Sequence, residues 1–320
     1  MKFIAALVGL VALLQRAPIP PVQPATAPRP QKVVINVNDN SGRFILNMRP
    51  EDLTVEEDGV QQKITSFIED VDTPVSLGIL IDKSTSMRLP LYVQGKERVP
   101  AAILAAAGVA RAVVRLMKPQ DEFLLMTFDE KVQVKQNFTQ DRKKVEDALY
   151  KMNVVGDATH LYDSVINAME RMKKAKYRRR ALLVITDAYD TSGKQLEDLR
   201  LKIAEQEVQV FTCGLRSVFE DLPDPNSEPL FQMVLRAFSV DTGGLSMVVD
   251  VPELQSTPTI QNIIGFAQII AYELRGQYTL TYDTTKTGSL ASRFVRVRSS
   301  NPNLRIRIRR EAEDPIRARN

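Results

Sequence analysis

The run Leu77-Gly78-Ile79-Leu80-Ile81 ends in Asp82-Lys83-Ser84-Thr85-Ser86, an apolar stretch that stops at a carboxylate and continues with hydroxyls. Apolar side chains on both faces of a strand need cover on both faces, which is the condition of a central strand in a parallel sheet. Such sheets bind ligands beyond the carboxyl ends of their strands. Asp82, Ser84 and Ser86 are therefore expected at the mouth of a crevice. They offer only hard oxygen donors, which suit magnesium, manganese or calcium rather than zinc or copper. Taken alone, the string reads equally well as turn chemistry leading into a helix.

Two later segments shift that balance. Gly156-Asp157-Ala158-Thr159-His160-Leu161-Tyr162-Asp163 reads as a loop opening onto a helix, and Ala181-Leu182-Leu183-Val184-Ile185-Thr186-Asp187 is a second apolar run ending in a carboxylate. In order and rough spacing the three segments resemble the metal-ion-dependent adhesion site of von Willebrand factor A-type domains. The resemblance implies Ser84, Ser86 and Thr159 as hydroxyl ligands. It implies Asp82 and Asp187 as carboxylates that bind the ion directly or through water, with Mg2+, or Mn2+ or Ca2+, as the cofactor. It further implies an open coordination position for a Glu or Asp of a partner protein, so that the ion bridges two proteins.

The resemblance extends to the flanks. Pro50-Glu51-Asp52-Leu53-Thr54-Val55-Glu56-Glu57-Asp58-Gly59, Ala271-Tyr272-Glu273-Leu274-Arg275-Gly276-Gln277-Tyr278 and the Gly243-Gly244 pair look like those of bacterial exported proteins related to this family, of the type frequent in Acidobacteria. Three features depart from it. Ala188 follows Asp187 where the family usually has Gly, the loop from Arg216 to Leu230 is long, and Lys83 lies inside the string. Alternation of side chains predicts that Lys83 points away from the ion.

Strand and helix patterns alternate from residue 76 to about 275, as a doubly wound sheet requires. Strands are expected at 76–82, 122–128, 181–187, 208–214 and 246–250, with a short antiparallel edge near 131–135. Helices are expected at 99–117, 141–152, 161–176, 194–206, 228–240 and 257–275. Residues 32–70 and 277–310 instead alternate polar and apolar positions, with turn signals at Asn40-Ser41-Gly42 and Asp58-Gly59. Isolated hairpins are marginal in water, so the two ends are expected to pair. The fold class is thus α/β: a doubly wound, mostly parallel, Rossmann-like sheet inserted in a small β-sandwich formed by the N- and C-terminal strands.

The expected division is 1–17 signal peptide or anchor, 18–30 Pro-rich linker, 31–72 first part of the sandwich, 73–275 A-type domain, 276–312 second part of the sandwich and 313–320 tail. Lys2 followed by the apolar stretch Phe3–Leu14 reads as an export signal, too short to span a bilayer comfortably. Export would place the protein in the periplasm, outside the cell or anchored to the membrane. The single Cys213 excludes an intrachain disulfide and reads as a small buried hydrophobe.

A formal net charge of +4 over 320 residues is modest. The basic cluster Arg171–Arg180 reads as a solvated helix terminus rather than a nucleic-acid patch, and Arg305, Arg307 and Arg309 as the outer face of a tail strand, with contact to anionic lipid or polysaccharide as the alternative. A strand-end Asp82 also suits a phosphotransferase of the haloacid dehalogenase type, but the acid/base two residues on is here Ser84. No phosphate-binding Gly-rich string follows the first strand, and lone His160 lacks a nucleophile beside it in sequence. The expected function is a non-enzymatic, cation-dependent protein-binding module for adhesion or envelope assembly. The alternatives are a regulatory subunit of an envelope complex or a metal-dependent hydrolase or phosphotransferase.

Overall fold

The computed structural model describes residues 27–40, 42–88, 91–94, 97–153, 156, 158–204, 206, 208–216, 227–240, 242–286 and 293–309. The strands are β1 (Arg29–Asn38), β2 (Leu53–Glu57), β3 (Val60–Gln62), β4 (Ile64–Asp70), β5 (Val75–Asp82), β6 (Leu91–Gln94), β7 (Glu97–Pro100), β8 (Glu122–Phe128), β9 (Val132–Thr139), β10 (Arg179–Thr186), β11 (Gln209–Arg216), β12 (Ser246–Asp250), β13 (Gln277–Thr284), β14 (Val295–Ser299) and β15 (Arg305–Arg309). The helices are α1 (Ala101–Leu116), α2 (Arg142–Tyr150), α3 (Leu161–Met172), α4 (Leu196–Ala204), α5 (Ser227–Val240) and α6 (Thr257–Arg275). None of the helices described is long and apolar enough to cross a membrane. The expected signal segment 1–17, the first part of the linker, the tail 313–320 and most of the 216–230 loop lie outside the described residues. Arg29 and Pro30, assigned to the linker from sequence, are the first residues of β1.

The central sheet has the order β12-β11-β10-β5-β8-β9, parallel except for the β8–β9 pair at one edge. Every residue of β5 is buried. Side-chain alternation divides that strand between two cores. Leu77, Ile79 and Ile81 pack with α1, α2 and α6, whereas Leu80 packs with α3, α4 and α5. Cys213 lies wholly buried in the first of these cores, and burial pushes its thiol well above the ordinary range.

Chain order reverses at β5. The next strand of this sheet along the chain, β8, pairs on one side, and β10 pairs on the other, so the crevice beyond β5 and β10 is the switch point at which such sheets bind ligands. Gly78 matters here because α3 crosses close by: a Cβ at that position would meet Met172 Sδ at 2.6 Å. With its C-terminal end against Gly78, α3 runs back along the strand and opens at the same end of the sheet as Asp82.

The two ends of the chain pair, as expected. A four-stranded sheet has the order β15-β1-β13-β4 and a three-stranded sheet the order β14-β2-β3. Val33 faces Leu280 and Ile35 faces Ile308 across β1, while Val55 faces Val297. Val33, Ile35, Val37, Tyr278, Leu280 and Tyr282 from one sheet pack with Leu53, Val55 and Val297 from the other. The alternation expected over 32–70 runs through Gln62–Phe67 without a break. In the structure the chain changes sheet at Lys63, so β3 and β4 belong to different layers.

The last helix runs directly into the sandwich. Gly276, between α6 and β13, lies so close to Phe44 that a Cβ would meet its ring at 2.1 Å. Asn36 donates to the carbonyls of Glu273 at 2.8 Å and Gly276 at 2.6 Å. The arginine face of the tail strand is not uniformly solvated: Arg307 pairs with the buried Glu273. A second difference lies at 91–100, where a short hairpin precedes α1 and the helix starts after Pro100 rather than at 99. The β9 edge is also longer than the short strand expected.

Candidate metal centre

Asp82 is the last residue of β5 and is fully buried. Its carboxylate is held from two directions: the Ser84 amide donates to Oδ1 at 2.9 Å and the Thr186 hydroxyl donates to Oδ2 at 2.7 Å. Parallel pairing sets Ile81 opposite Ile185, which brings Asp82 and Thr186 level and places Asp187 one residue beyond. Burial and then the charge of Asp187 push the Asp82 carboxyl up to about 7, against the hydrogen bonds from Ser84 and Thr186.

Ser84 is buried, Ser86 is exposed, and their hydroxyls lie 3.0 Å apart. The chain tightens there into a single helical turn, with the Met87 amide donating to the Ser84 carbonyl at 3.1 Å. That turn returns the second hydroxyl to the side of the first. Thr159 is buried in the loop before α3. Its amide donates to the Thr191 hydroxyl at 3.0 Å, and its carbonyl accepts from the Thr191 amide at 2.8 Å and hydroxyl at 3.0 Å. The Thr159 loop is thereby stapled to the loop that carries Asp187.

Asp187 is half-buried, and its Oδ1 accepts from the Tyr189 amide at 3.2 Å. Ala188 between them has φ 63, the left-handed conformation that glycine adopts most readily. Asp190 accepts from the Tyr162 amide at 3.2 Å, at the first turn of α3. Lys83 turns away from the hydroxyls, its ammonium 2.6 Å from Asp129 Oδ2.

Asp82, Ser84, Ser86 and Asp187 are thus gathered at the ends of two neighbouring strands, with Thr159 in the adjoining loop. Among the described residues no three His, Cys, Asp or Glu side chains cluster as a metal site. The donor set here is instead two carboxylates and hydroxyls, and it fits a hard divalent ion. A carboxylate raised first by burial and then by a second carboxylate is a place that a cation would stabilise.

Thr186, Thr191 and Asp129 were not singled out from sequence. Thr186 had a signal, since a hydroxyl ends an otherwise apolar strand directly before Asp187. The partnerships of Thr191 and Asp129 are between loops and leave no local pattern.

Residues 77–190 match the family model of the von Willebrand factor type A domain, a span that includes all five candidate ligands. No curated protein matches the chain. Among solved structures, the conserved hypothetical protein BatB from Bacteroides thetaiotaomicron is 18% identical with a TM-score of 0.44, the match covering 61% of this chain and 99% of that one. A von Willebrand factor type A protein from Catenulispora acidiphila is 13% identical with a TM-score of 0.47, over 77% and 51%. Proximal thread matrix protein 1 from the mussel byssus, solved with its metal-ion-dependent adhesion site occupied by zinc, is 11% identical with a TM-score of 0.46, over 69% and 50%. The chain spans about half the length of these last two. The family match, across these residues and on a sheet of this order, gives residues 77–190 the fold of a von Willebrand factor type A domain.

Proposed function

We propose that the protein is a divalent-cation-dependent protein-binding module without catalytic activity, in which Asp82, Ser84, Ser86, Thr159 and Asp187 hold Mg2+, or Mn2+ or Ca2+. The observation that carries the reading is the environment of Asp82, a buried carboxylate beside a second carboxylate, with two hydroxyls 3.0 Å apart on the next turn. A bound ion supplies a positive, Lewis-acidic point that holds an Asp or Glu of a partner protein. The residues of the chain supply the frame. Thr186 and the Ser84 amide fix the rotamer of Asp82, Thr191 fixes the Thr159 loop, and the left-handed Ala188 turns the chain away after Asp187.

In this reading residues 73–275 form the binding unit, the terminal sandwich carries it, and segment 1–17 directs export to the periplasm, the cell exterior or a membrane-anchored position. A regulatory subunit of an envelope complex would use the same site on a resident partner. Hydrolysis or phosphoryl transfer is disfavoured by Ser84, which stands where an acid/base would have to follow Asp82.

Calorimetric titration with MgCl2 and MnCl2, wild type beside Asp82→Ala, tests the proposal. Saturable binding in the wild type and none in the variant is expected, followed by capture of an acidic partner that EDTA reverses. A wild-type protein that takes up neither ion would sink the reading.

A further inference from the structure

Lys83 places an ammonium inside a string of oxygen donors, and nothing in cation binding requires it. Its side chain is 6% exposed and that of Asp129, its partner at 2.6 Å, is 14% exposed. A lysine this buried persists only when it is paired. The two residues also stand where three loops meet. The Lys83 amide donates to the Phe128 carbonyl at 2.9 Å, the Gly156 amide to the Lys83 carbonyl at 3.4 Å, and the His160 amide to the Asp129 carbonyl at 2.9 Å. The fit is close enough to demand glycine at 156, where a Cβ would lie 2.2 Å from the Asp129 Cβ. Thr85 closes the junction by donating its hydroxyl to the Gly156 carbonyl.

We infer that Lys83 and Asp129 are a positioning pair for the cation site: Asp129 neutralises the Lys83 ammonium and holds it off the ion, and the pair sets the register of the Thr159 loop against the Ser84–Ser86 turn. Neither residue touches the ion. The inference rests on the cation-binding reading of Asp82 and its neighbours. Its physical basis is that an unpaired buried ammonium next to a dication repels it at low dielectric, and that partners behind the ligands typically govern affinity by about 10–100-fold.

The test is calorimetric titration of MnCl2 into the full chain, with circular dichroism melts in parallel, for wild type, Asp129→Asn, Lys83→Met/Asp129→Asn and Gly156→Ala. Asp129→Asn should weaken Mn2+ binding by about 10–100-fold, because Lys83 then faces the ion unpaired. The double variant, with no charge at either position, should bind more tightly than Asp129→Asn alone. A merely structural role for the pair gives no such rescue. Gly156→Ala, whose Cβ would press on Asp129 and on the Oδ2 that pairs with Lys83 while both charges are kept, should weaken binding by about tenfold or more while its melt stays cooperative.

Wild-type affinity in Asp129→Asn, or a double variant no better than the single one, overturns the inference and leaves the cation site standing. If Asp129→Asn does not fold, Gly156→Ala decides: wild-type affinity there overturns the inference, and weakened binding supports it. A wild type that binds no Mn2+ removes both the site and the pair.

Discussion

Thr186 and Asp82 end neighbouring parallel strands, and the hydroxyl of one donates to the carboxylate of the other at 2.7 Å with both side chains fully buried. The bond ties the two halves of the candidate site across the switch point of the sheet. The same hydroxyl oxygen accepts from the Ala188 amide at 3.0 Å, so one threonine anchors both the strand end and the turn after Asp187. Thr186→Val keeps the shape and removes both bonds. It should destabilise the protein by about 1–3 kcal/mol, the usual cost of leaving a buried polar group unsatisfied. Urea unfolding of the two proteins measures the difference.

Ala188 holds φ 63, which costs an L-residue about 1–2 kcal/mol relative to glycine in the folded chain. Glycine returns part of that through its larger unfolded-state entropy. Ala188→Gly should therefore stabilise the protein by about 0.5–1 kcal/mol, read as a higher urea midpoint at unchanged slope. A lower midpoint would mean that the alanine methyl makes packing contacts worth more than the strain.

Glu273 is wholly buried near the end of α6 and is paired with Arg307 from β15, while Asn38 of β1 donates to the same carboxylate oxygen. Arg307→Ala leaves that carboxylate without its cation. Arg307 is 27% exposed, so the expected loss is about 2–4 kcal/mol, somewhat below the cost of breaking a wholly buried pair. Glu273→Gln combined with Arg307→Ala should recover part of it, because no charge is then left buried. Equal losses in the single and double variants would count against the electrostatic account.

Glu57, buried in the sandwich, makes a contribution to stability that depends on pH. Burial raises its pKa, but hydrogen bonds from Thr284 at 2.6 Å, Arg293 at 3.1 Å and Tyr282 at 3.1 Å outweigh this and leave the carboxyl below the ordinary glutamate value. A folded-state pKa below the unfolded one contributes stability that is present above the unfolded value, about 4.3, and is lost as pH falls through the folded one. Wild type should therefore exceed Glu57→Gln in unfolding free energy at pH 7, and the gap should close progressively below about pH 4. A gap independent of pH would assign the effect to packing alone.

The sheet was legible because its central strands, β5, β8, β10 and β11, are buried on both faces. Continuous apolar runs such as Leu77–Ile81 and Ala181–Ile185 have few other uses, and the carboxylates that end them mark the edge of the core. Helix α6 was legible to its last residue, since Ser256 caps its start with Pro258 just inside and Gly276 ends it. The hairpin at 91–100 was not, because Pro100 and the alanine-rich stretch after it carry the helical pattern without showing that paired strands precede it. The split of β3 from β4 was hidden for a similar reason: alternation persists through Lys63 while the chain changes layer.

Residue order by itself determined which groups stand at the strand ends and hence the chemistry on offer: Asp82 and Asp187 as charges, Ser84, Ser86 and Thr159 as hydroxyls, no sulfur or imidazole in the string. Parallel register then decided that Thr186 meets Asp82. Loop packing decided that Lys83 turns to Asp129 and that Thr159 is held by Thr191. It also decided that an arginine on an apparently solvated tail strand closes on Glu273. The division has a physical reason. Burial periodicity is written in neighbouring residues, whereas the partner of a buried charge is chosen by whichever distant segment the fold brings within hydrogen-bonding range.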